Sequence, residues 1–143
     1  MSNIFHCFPV NASPGKVFEA ISTPVGLDNW WTRRSEAEPE LEGNYLLDFG
    51  LPYIWNAVVT KYTEFAVFEL QFWDADPDWT GTKVGFALIP KDGKTEVNFY
   101  HTGWPETNEH FRISSFCWAM YLRILKRYIE FGEKVPYENR LNV

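Results

Sequence analysis

The alternation of apolar and polar positions divides the chain into three stretches with different periods. Residues Ile4 to Val10 are rich in β-formers and run into Asn11-Ala12-Ser13-Pro14. There Ser13 can cap a helix and Pro14 suits its first position. Val17, Phe18 and Ile21 then recur at helical spacing, which predicts a short helix ending near Ser22. Thr23-Pro24 repeats the cap signal. Leu27, Trp30 and Trp31 predict a second short helix packed by its tryptophans, one ring anchoring that helix and the other near the mouth of any interior space.

From Ser35 to Gly103 the period becomes two, and turn residues arrive at hairpin intervals: Glu42-Gly43-Asn44, Gly50-Leu51-Pro52, Asp76-Pro77-Asp78 and Lys91-Asp92-Gly93-Lys94. Asp92-Gly93 is the sharpest of these, because both positions tolerate positive φ. Alternation assigns the faces. Tyr45, Leu47 and Phe49 share one side, as do Phe68, Leu70 and Phe72, then Val84, Phe86 and Leu88. Trp55, Ala57 and Val59 are the better inward set on their strand, and Val97, Phe99 and His101 form it on the last. An imidazole is thereby placed among aromatics.

After Gly103-Trp104-Pro105, a run without Gly or Pro from Glu106 to Phe131 predicts one long helix, stopped by Gly132 and Pro136. Ile113, Cys117, Met120, Ile124 and Tyr128 trace an apolar stripe, broadened by Phe116, Trp118, Tyr121, Leu125 and Ile129. So wide a stripe belongs to a helix enclosed over much of its circumference. The fold class is therefore α+β: a curved antiparallel sheet of about six to seven strands wrapped around a long C-terminal helix, with two short helices between the first two strands. Residues 1–143 fit a single domain.

Composition narrows the partners. Seven Trp and twelve Phe must either fill a core or line a hollow. A formal charge of -6 disfavours nucleic acid and anionic membranes, and no apolar run approaches the ~20 residues of a membrane helix. The opening residues show no secretory signal pattern, so the cytoplasm is the default location. Cys7 and Cys117 stand alone, outside any CxxC spacing, and read as reduced, buried thiols. No GxSxG, P-loop or GxGxxG occurs, and no metal motif emerges from His101, Glu109 and His110; neither cofactor nor metal is expected.

The stretch Ala12-Ser13-Pro14-Gly15-Lys16-Val17-Phe18-Glu19-Ala20-Ile21, then Thr23-Pro24-Val25-Gly26-Leu27 and the Trp30-Trp31 pair, resembles the opening of the START-like, birch-pollen-allergen-like (SRPBCC) superfamily. Together with His101-Thr102-Gly103-Trp104-Pro105 before a long helix, it is most similar to the branch named after the C-terminal domain of the heat-shock-protein ATPase activator. The resemblance implies a helix-grip fold across the whole chain and a gap between the sheet and the first half of the long helix. Phe49, Trp55, Phe72, Phe86, Phe99, His101, Trp104, Cys117 and Met120 would line that gap. The leading expectation is non-catalytic binding of an apolar or aromatic small molecule or lipid, oriented by His101. Two alternatives stand beside it. One is a cyclase- or dehydratase-like enzyme with His101 as acid-base residue and Glu109 or Arg112 orienting it. The other is a stress or chaperone-accessory module using the outer aromatics Trp73, Trp79 and Tyr100, which would equally serve a homodimer contact.

Overall fold

The computed structural model describes residues 1–142. Strand β1 (Ser2–Val10) leads into helices α1 (Pro14–Ser22) and α2 (Pro24–Asp28). Six strands follow: β2 (Arg34–Ala37), β3 (Asn44–Asp48), β4 (Ile54–Thr63), β5 (Val67–Asp74), β6 (Lys83–Lys91) and β7 (Lys94–Trp104). Helix α3 (Glu109–Phe131) and a 3-10 turn (Tyr137–Asn142) close the chain. The strands form one seven-stranded antiparallel sheet in the order β1-β7-β6-β5-β4-β3-β2, curved around α3. This is the helix-grip architecture expected from the periodicities.

Thr23 explains why α1 and α2 meet so abruptly. Its hydroxyl donates to Glu19 O at 2.8 Å, closing α1, and accepts from Gly26 N at 3.0 Å, opening α2. Gly26 permits the close crossing that follows: a Cβ there would sit 2.5 Å from Ala20 O. The two tryptophans divide their roles. Both lie past the end of α2, not within it, because Asn29 already caps that helix. Trp30 donates its indole N–H to Ala20 O at 2.9 Å and anchors the helical pair; Trp31 stacks on it and faces α3.

The inward sets read from alternation are buried: Tyr45 and Leu47, Ala57 and Val59, Phe68, Leu70 and Phe72, Val84, Phe86 and Leu88, Val97, Phe99 and His101. Phe49 and Trp55, at the strand ends, are half-buried against the same core. Asp92 and Gly93 both take positive φ in the β6–β7 hairpin. On the outer face, Glu69, Gly85 and Tyr100 occupy one cross-strand row. The Tyr100 ring lies across Gly85, so that its hydroxyl reaches the Glu69 carboxylate. A Cβ on Gly85 would stand 2.2 Å from Tyr100 Cζ. G85A is expected to cost about 1–3 kcal/mol in urea unfolding through this overlap. The same substitution in a Y100A background should cost much less.

Four expectations are corrected. Helix α3 starts at Glu109, not Glu106, because Asn108 supplies the cap, its side chain accepting from Phe111 N at 2.9 Å. The buried line of α3 runs through Ser114, Trp118, Leu122, Ile124 and Leu125, which leaves Ile113 and Phe116 exposed. Trp79 is not an outer aromatic: the β5–β6 loop folds it into the core, held by Trp79 N to Asp76 O at 2.9 Å. Cys7 points outward from edge strand β1 and is exposed, while Cys117 is half-buried.

Candidate functional site

The site is built where α3 crosses β7 and the β5–β6 loop. His101 projects inward from β7 and is fully buried. Its hydrogen bonds fix its chemistry. Thr82 Oγ1 donates its single proton to Trp79 O at 2.6 Å, so in its 2.8 Å contact with His101 Nε2 it must accept. Trp118 Nε1 can only donate, and it donates to His101 Nδ1 at 3.0 Å. A one-way chain results, from Trp118 through the Nε2–H tautomer of His101 and through Thr82 to the backbone of Trp79. Burial, aided by the charge of His110, pushes the His101 pKa down to about 3.

Both ring nitrogens of His101 are therefore committed within the protein, and neither is offered to a ligand or a substrate proton. The orienting and acid-base roles expected for His101 do not fit this geometry. Glu109 and Arg112, expected to orient it, lie exposed on the first turn of α3.

The aromatics close over what was expected to be open space. Trp118 meets Phe99 with ring centroids 4.5 Å apart, Trp31 at 5.2 Å and Trp79 at 5.9 Å. Trp79 and Trp104 lie 4.5 Å and 4.9 Å from His101. Phe72, Phe86, Phe99 and Trp104 are accordingly packed core rather than cavity wall. What remains between helix and sheet is a slot of about 50 Å³ lined by Trp31, Trp79, Ser114, Cys117, Trp118 and Tyr121. Of the expected lining, only Cys117 reaches it; Phe49, Trp55 and Met120 stand outside its wall.

Three features position the slot. The tail after Gly132 turns back, and buried Arg140 donates to Asp28 O at 2.6 Å and Thr32 O at 3.0 Å, bracketing Trp31 in sequence. Tyr137 adds a bond to Phe49 O at 2.9 Å. At the other end, His110 Nδ1 meets Asp78 Oδ2 at 2.9 Å and ties the first turn of α3 to the loop that carries Trp79. That contact holds the Asp78 carboxyl below its ordinary range. Asp76 lies 3.7 Å from the same nitrogen. Among the described residues these three side chains can approach a cation together, and the His110–Asp78 hydrogen bond already accounts for the closeness of two of them.

The slot wall is electrically neutral. Burial raises the Cys117 thiol, and pushes the Tyr121 phenol up to about 12, so both stay protonated near pH 7.

A curved seven-stranded sheet gripping one long helix, with a small aromatic slot between them, defines a helix-grip domain of the SRPBCC kind. The chain belongs to the family described as activator of Hsp90 ATPase homolog 1-like protein, whose model matches residues 11–130. The solution structure of the Aha1 dimer from Colwellia psychrerythraea is 29% identical, with a TM-score of 0.83 over 93% of this chain and 99% of that one. Protein SSP2350 from Staphylococcus saprophyticus (17% identity, TM-score 0.77, covering 94% and 96%) shares the fold. So does protein MLL2253 from Mesorhizobium loti (13% identity, TM-score 0.81, covering 92% and 99%). No curated protein matches the sequence. No helix among the described residues is long and apolar enough to cross a membrane.

Proposed function

We propose that the protein binds a flat, uncharged small molecule in the slot between Trp31, Trp79 and Trp118, without transforming it. The observation that carries this reading is the wall itself: indoles flanked by a hydroxyl, a thiol and a phenol, all uncharged near pH 7, with burial raising the thiol and the phenol further. A charged ligand would lose its hydration there without a counter-ion. A planar ring would gain dispersion and stacking contact on both faces.

At about 50 Å³ the resting slot is far below the roughly 300–1,000 Å³ of a typical ligand pocket, so one wall must yield on entry. Half-buried Tyr121 is that wall, since Trp118 is tied to His101 and Trp31 is bracketed by the Arg140 contacts. Naphthalene, followed by tryptophan fluorescence, is the probe of choice. The wild-type protein is expected to bind it saturably, and S114F, which places a ring in the slot, should weaken binding at least tenfold. Equal binding by both proteins would refute the assignment of the slot.

A further inference from the structure

We infer that the outward face of α3 pairs with a second copy of this chain, antiparallel about a two-fold axis at Phe116. On that face Phe116 is 77% exposed and Ile113 52%, with Ala119 open to solvent beside them. Large apolar side chains gathered on one exposed helix face mark a contact surface.

The charges on the same face say what covers it. Glu109 stands seven residues before Phe116 and Arg123 seven after it, so the three fall on one stripe that drifts only about 20° per heptad. Among the described residues, neither Glu109 nor Arg123 has an ion-pair partner within the chain. Lys126 and Arg127, further along the helix, are already paired with Glu130 and Glu133.

A two-fold axis at Phe116 sets Glu109 against the partner's Arg123, and symmetry repeats the pair at the other end. Ile113 meets the partner's Ala119, a large side chain against a small one, and the stem of Arg112 covers the partner's Met120. The antiparallel sense also brings opposite ends of the two helix dipoles together. A shallow crossing of about 20° keeps each charged pair alongside at roughly 10 Å from the axis. A parallel arrangement would instead oppose Glu109 to Glu109 and Arg123 to Arg123. This face is separate from the sheet surface around Trp73, and the pairing does not depend on what the slot holds.

Sedimentation equilibrium at high micromolar concentration is expected to show a monomer–dimer equilibrium that weakens as salt is raised. F116E, which places two carboxylates together on the axis, should raise the dimer Kd at least tenfold with an unchanged circular dichroism spectrum. E109R and R123E should each weaken the dimer. E109R combined with R123E should restore it, because every cross-axis pair is again of opposite sign. A protein that stays monomeric at every concentration, or a dimer indifferent to F116E, would overturn this pairing. A double variant no better than the single ones would overturn its antiparallel register.

Discussion

Replacing Trp118 by alanine is expected to destabilise the protein by about 3–5 kcal/mol, the range found when a buried aromatic is truncated. Three effects coincide at this residue. Its ring packs against Phe99, Trp31 and Trp79, so removal opens a cavity in the middle of the core. Its N–H is the donor to His101 Nδ1, so truncation leaves a buried nitrogen without a partner. It also joins α3 to the sheet at the point where the helix crosses β7. Urea unfolding followed by circular dichroism measures the loss. A loss below about 1 kcal/mol would mean that the aromatic cluster around Trp118 does not hold α3 to the sheet.

His101 gives the second large effect, through pH. Its folded pKa of about 3 lies below the ordinary 6.5. Above pH 6.5 both folded and unfolded chains hold a neutral imidazole, and the stability is fully present. As pH falls from 6.5 towards 3, the unfolded chain takes up a proton that the native state refuses. Stability then drops by up to about 1.4 kcal/mol per pH unit from this group alone. H101F removes the titrating group, so the difference between the two pH–stability curves isolates its contribution. The ring nitrogens of native His101 should show the Nε2–H tautomer by NMR down to about pH 4. An imidazole titrating near 6.5 in the folded protein would contradict the hydrogen-bond chain.

Strand faces were legible in the sequence because a period of two admits only two answers, and a buried face selects one of them. Phe68, Leu70 and Phe72, or Val97, Phe99 and His101, follow from alternation alone. The phase of α3 was less legible. A helix apolar over most of its circumference presents several plausible stripes, and the bond between Trp118 and His101 chooses among them.

Trp79 could not be assigned by alternation, since it lies in a loop whose path is set by turn hydrogen bonds between Asp76 and Thr80. The adjoining Asp76-Pro77-Asp78 turn was visible, but a turn does not say whether the residue after it points in or out. Whether the interior is hollow or filled depends on side-chain rotamers, and no pattern of residue types encodes them. The expected cavity therefore contracts to a slot, and its wall shifts from Phe49, Phe86 and Phe99 to Trp31, Trp79 and Trp118.

That shift also changes what His101 is for. An imidazole on a concave face invites a catalytic or ligand-orienting reading. With both nitrogens bonded and its charge suppressed, it instead fixes the Trp118 indole and, through Thr82, the backbone of Trp79. The neutral wall and the committed histidine together favour recognition over proton transfer.

The most direct test of the slot is a two-dimensional NMR titration of the indole N–H resonances with naphthalene. Saturable shifts are expected for Trp31, Trp79 and Trp118, with Trp55 and outer-face Trp73 nearly unmoved. Shifts confined to Trp73, or no saturable shift at any indole, would contradict binding at the slot.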